Sequence, residues 1–174
     1  MEKKEIIAVL EKKHTDLFDW VANHSSEKWE MGPEGKWTSG QHILHLAESI
    51  RLLNKALRTP KFLLKRKFGV ANRPVRSYNE VAKRYEERLT ANLEKSRDFN
   101  KNLNKPSLKQ KQRLLASLQI QNKKLQYKTN KWSDHNLDTV LLPHPLMGRM
   151  IIREIIMWTA HHTEHHTTIL KEHY

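Results

Sequence analysis

Helical periodicity is the feature of this 174-residue chain that most restricts its fold. Over residues 3–23, Ile6, Ile7, Leu10, Leu17, Phe18 and Val21 recur at helical spacing, and Asn23-His24-Ser25-Ser26 ends the run. The pattern resumes where Thr38 can cap a helix and Gln41 can reciprocate from the third position. Ile43, Leu46, Ala47, Ile50, Leu53 and Leu57 carry that stripe to about Arg58, with His42 and His45 on opposite flanks. Pro60, Gly69 and Pro74 mark a connection, and Ser77-Tyr78-Asn79-Glu80 opens a shorter helix through Val81, Tyr85 and Leu89. The asparagine-rich stretch 91–105 fits a continued helix or a loop. Pro106 restarts the pattern, and Leu108, Leu115, Leu118 and Leu125 support a third long helix to about Lys128. A connection holding Pro143, Pro145 and Gly148 precedes a final helix over about 147–172. Nothing alternates like a strand, and no repeat or second domain is visible. The expectation is one domain over 1–174, an all-α four-helix bundle with a long crossover connection between helices two and three.

The final helix concentrates chemistry, because four of the chain's eleven histidines fall within residues 161–166. A helix turns once in about 3.6 residues, so His162 and His166 point the same way and can grip one metal ion. Extending the core stripe from Ile152, Ile155 and Thr159 reaches 162, 166 and 169, which puts this pair on the interior face. His161 and His165 share the other face with Glu154, Trp158 and Glu172, expected nearer solvent. An open metal site needs a third ligand from another element, and the best candidate is His45. Placing imidazoles on a core stripe costs buried polar surface unless both nitrogens find partners, and a metal with supporting acceptors supplies them. His14, His24, His135 and His173 read as surface or hydrogen-bonded core residues.

The chain has no cysteine, which excludes disulfides, thiolate metal sites and cysteine nucleophiles and fits a reducing compartment. Met1-Glu2-Lys3-Lys4-Glu5 lacks the apolar core of a signal peptide, and no apolar run approaches the roughly 20 residues of a membrane span. A soluble, cytoplasmic protein with no membrane partner is expected. The net charge of +13 is concentrated in residues 51–131, which carry 23 Lys/Arg against 5 Asp/Glu. Without interleaved aromatics or a nucleic-acid motif, this block reads as the solvated face of lysine-rich helices, and sequence-specific nucleic-acid binding is not expected. The competing class is a non-enzymatic protein that binds a polyanion or nucleic acid through segment 51–131.

Trp37-Thr38-Ser39-Gly40-Gln41-His42-Ile43-Leu44-His45-Leu46 resembles the second-helix signature of the DinB/YfiT-like superfamily. Leu142-Pro143-His144-Pro145-Leu146-Met147-Gly148-Arg149, followed by His162-Thr163-Glu164-His165-His166, is similar to its C-terminal block, and Asn72-Arg73-Pro74 with Tyr78 resembles members with an elaborated crossover. The resemblance runs from helix two to the end. It implies a DinB-type bundle, usually a homodimer, in which His45, His162 and His166 hold a divalent ion such as nickel or zinc together with water. It also implies a metal-dependent enzyme acting on a small molecule, a hydrolase or a thiol S-transferase. Glu164 and Glu48, near ligands along their helices, are candidate proton-transfer groups. Many members carry glutamine soon after the last histidine; this chain has Thr167-Thr168-Ile169 instead.

Overall fold

A computed structural model describes residues 1–93 and 102–174, and its architecture follows from where the apolar stripes start and stop. Helix α1, Lys3–Asn23, buries Ile6, Leu10, His14, Leu17, Trp20 and Val21 along one stripe. Helix α2, Ser39–Ala56, begins at a reciprocal cap: the Gln41 N–H donates to Thr38 Oγ1 at 3.2 Å and the Thr38 N–H to Gln41 Oε1 at 3.0 Å. Two of the helix's unpaired amides are thereby satisfied and its start is fixed. Short helix α3, Lys61–Phe68, lies within what the sequence marks only as a connection. It ends at Gly69, whose φ of 91° suits glycine. Ser77 and Glu80 cap α4, Tyr78–Thr90, as expected. Any continuation of this helix through 91–105 falls, at 94–101, outside the described residues. A 3₁₀ turn at Leu108–Gln110 leads into α5, Lys111–Lys131, and then α6, Asp134–Thr139.

The last long helix starts later than the sequence pattern suggests. Residues 147–151 lie mostly in a small antiparallel hairpin, β1 Leu141–His144 with β2 Gly148–Ile151, pairing Leu141 with Ile151 and His144 with Gly148. Pro143 and Pro145 disfavour helix there, and Gly148 at φ 72° lets the chain reverse. Helix α7, Ile152–His173, follows.

Helices α1 and α2 each pack against both α5 and α7, so the four long helices form a bundle with α1 diagonal to α2. The crossover from α2 to α5 lays α4 along the outside of α7 and α3 against β1. This buries the face of α7 expected near solvent: every residue from Ile151 to Ala160 is buried, Glu154 and Trp158 among them. Helix α7 is thus central to the fold, covered on nearly all sides along its first half. Among the described residues, no helix is long and apolar enough to cross a membrane.

Candidate metal centre

Two helices bring their histidines to one layer of the bundle. Helix α2 presents His42 and His45, three positions apart, and α7 presents His162 and His166, one turn apart. The Nε2 atoms of His45 and His162 are 3.1 Å apart and those of His162 and His166 3.0 Å. One ligand atom from each of the three lies within 4.8 Å of the others, a group that could hold a metal ion. His162 and His166 are buried and His45 half-buried. Trp158 stacks on His162 with ring centres 4.5 Å apart, and Trp37 lies parallel to His166 at 6.0 Å, so an indole covers each of these rings.

Burial sets the protonation of the layer. It brings His45 down to about 4 and holds His162 and His166 well below the ordinary imidazole range, with neighbouring imidazoles adding to the effect. Neutral rings keep one nitrogen lone pair each, which a metal ligand requires. Zinc-like ions sit about 2.0–2.1 Å from imidazole nitrogen, so tetrahedral ligands stand roughly 3.4 Å apart. His162 stands a few tenths of an ångström nearer than that to each of the other two, and three neutral imidazoles are a donor set that fits zinc or nickel.

A hydrogen-bonded chain supports the layer from behind. His166 Nδ1 is 2.8 Å from His42 Nδ1, His42 Nε2 is 3.3 Å from Tyr174 Oη, and the Tyr174 hydroxyl donates to the Trp37 carbonyl. With the His166 Nε2 lone pair facing the other ligands, its Nδ1–H donates to His42, and the His42 Nε2–H donates to Tyr174. His42 itself is pushed down to about 3, first by burial and then by His45, so it is neutral and able to accept. Sequence spacing singles out His45, His162 and His166 and passes over His42 and Tyr174. Three positions on a helix leave His42 about 60° from His45, so the two lie on one side of α2 and not on opposite flanks of its stripe, a usable signal; Tyr174, beyond every apolar stripe, carries none.

The other candidates lie elsewhere. Glu164 accepts from Lys13 of α1 and is 3.9 Å from His161 Nδ1, while Glu48 is exposed on α2. Among the described residues, no hydrogen bond joins either carboxylate to the three imidazoles. His161 and His165 are half-buried rather than solvent-facing, because Glu86 of α4 lies over them, 2.8 Å from His161 Nε2 and 3.3 Å from His165 Nδ1. His14 is a hydrogen-bonded core residue whose Nδ1 is 2.8 Å from the Leu10 carbonyl.

No curated protein and no solved structure gives a match to the chain. The family model of the DinB superfamily, in contrast, matches residues 9–170, spanning α1 through α7 and all three converging histidines. With that coverage and this arrangement of helices, the chain belongs to the DinB superfamily.

Proposed function

We propose that the protein is a metal-dependent enzyme in which His45, His162 and His166 hold a divalent ion, zinc or nickel, and that it acts on a small molecule as a hydrolase or thiol S-transferase. The convergence of three neutral Nε2 atoms from two helices carries this reading. When bound, such an ion lowers the pKa of a water or thiol and so supplies a nucleophile near neutral pH. The chain's own residues prepare the place for it. His42 and Tyr174 fix the tautomer and orientation of His166, and Trp37 and Trp158 keep water from the buried rings. The placement of Glu164 beside Lys13 and of Glu48 at the surface favours neither as the proton-transfer group in this reading.

Elemental analysis of protein purified without a metal-affinity tag tests the proposal, with about one ion per chain expected. Activity on a panel of esters and of thiol acceptors should then disappear with chelator and return with the metal. The polyanion-binding alternative makes the opposite forecast: its signal weakens steeply with salt and ignores chelator. Metal-free protein that binds nucleic acid at physiological salt would overturn the enzyme reading.

A further inference from the structure

The face of α7 turned toward α4 and the hairpin carries a recess that the metal centre does not use. It encloses about 60 Å³ and is lined by Arg73, Arg76, Arg84, Arg149 and Glu154. Its charges do not balance. Glu154, 1% exposed, is already saturated: Arg73 donates to its two oxygens at 2.5 and 2.7 Å, the Arg76 N–H donates at 2.9 Å and Arg76 Nη1 at 3.4 Å. Among the described residues, no carboxylate lies within 4.0 Å of Arg84 or Arg149. Four arginines therefore line a recess whose one carboxylate is occupied by two of them. Arg84 feels the like charges of Arg76, Arg88 and Arg73, and an anion in the recess would relieve that repulsion.

We propose that this recess binds an oxyanion, a phosphate or carboxylate group, held by Arg84 and Arg149 with Arg76 at its edge. One water needs about 10–15 Å³ of such space, so a volume near 60 Å³ has room for about four water-sized atoms, the oxygens of one phosphate. Guanidinium is the side chain best matched to that ligand, because its planar fork donates two parallel hydrogen bonds to phosphate or carboxylate oxygens. The four arginines come from the segment before α4, from α4 itself and from β2, so the crossover and the hairpin must both be in place to assemble them. Glu154 orients Arg73 and Arg76 and sets their spacing. Burial and the charges of Arg76, Arg88 and Arg73 hold the Arg84 guanidinium below its ordinary value, as expected of a cation crowded by others. Val81 and Met150, both buried, close the apolar side. Glu154 and His162 are eight positions apart on α7, roughly 12 Å by helical rise, and Trp158, stacked on His162, lies midway along that stretch. The oxyanion is therefore held apart from the three imidazoles, and the proposal does not rest on what the metal centre does.

Calorimetric titration of the chelator-treated full-length protein tests this, with inorganic phosphate in one arm and malonate in the other. Saturable binding of phosphate is expected, weakened by about tenfold or more in the double variant R84Q/R149Q and unchanged in H162A. Malonate binding without phosphate binding would identify the carboxylate as the ligand group. Because Arg149 is exposed, R149Q alone should leave the fold intact and show a partial loss should the double variant unfold. Absence of saturable binding of either anion up to about 10 mM, or equal binding by wild type and a folded R84Q/R149Q, would overturn the site. Loss of binding in folded H162A would move the anion to the metal centre and equally refute it.

Discussion

His162 and His161 are neighbours in sequence with opposite surroundings. His162 faces two imidazoles, and His161 faces Glu86. H162A is therefore expected to abolish stoichiometric metal and H161A to keep most of it; equal loss in two folded variants would show that the ligand face is misassigned. His42 is the graded case. It touches a proposed ligand without being one, and removing such a partner typically costs 10–100-fold in metal affinity. H42F should show a loss of that order in competition with a chromophoric chelator, and an affinity equal to wild type would remove His42 from the site. His14 tests burial alone, because it is not one of the three converging histidines. Burial pushes it down to about 4 despite its bond to the Leu10 carbonyl, while the unfolded chain keeps the ordinary value near 6.5. Above pH 6.5 neither state is protonated there and stability is full. Between 6.5 and 4 only the unfolded chain takes up the proton, so stability falls, by about 3 kcal/mol in all. Below 4 this group adds no further loss. Denaturant unfolding at pH 7 and pH 4.5 should show a smaller acid loss for H14L than for wild type, and identical losses would refute the assignment.

At the scale of elements, what the sequence reveals depends on whether the deciding contact is local. The bounds of α1, the Thr38/Gln41 start of α2 and the Ser77/Glu80 start of α4 rest on caps and stripes only a few residues long, and all are readable in advance. Helix α3 is not, because Lys61-Phe62-Leu63-Leu64-Lys65-Arg66-Lys67-Phe68 buries only Leu64 and shows no stripe. The β1–β2 hairpin hides for a different reason: its strands are four residues long, and Pro143 gives them the look of a loop. The inward pair His162 and His166 follows from periodicity. The buried state of Glu154 and Trp158 does not, since it depends on where the crossover lays α4. Loop geometry is similarly hidden at Gly32, where an added Cβ would sit 2.1 Å from the Trp37 carbonyl oxygen. That oxygen also accepts the Tyr174 hydroxyl, so the close approach supports the chain behind His166. G32A should force the Trp37 backbone away, costing about 1–3 kcal/mol and weakening metal affinity in the same direction as H42F. Wild-type stability in G32A would mean that the loop yields without moving Trp37.

Over the whole molecule, the positive charge gathers on particular surfaces and restricts how two copies can meet. Along α5 and just past the end of α2, Arg58, Lys123, Lys124 and Lys128 line a groove that also presents Ile120 and Tyr127, 51% and 64% exposed. The family resemblance implies a homodimer, and exposed apolar side chains make this groove an obvious place to form one. Charge argues against it. A two-fold contact sets a patch against its own copy, so each cation would meet cations, at a cost that falls as salt shortens the screening length from about 10 Å at 0.1 M to about 3 Å at 1 M. A dimer built on a different face feels only the repulsion of the two net charges and should depend on salt much less. Light scattering is therefore expected to give about twice 20.7 kDa at both low and high salt, with K123E/K124E still dimeric. A mass near 20.7 kDa across a wide range of protein concentration would refute the dimer. A mass that doubles only at high salt would place the interface in the basic groove, and Ile120 and Tyr127 would then be its centre.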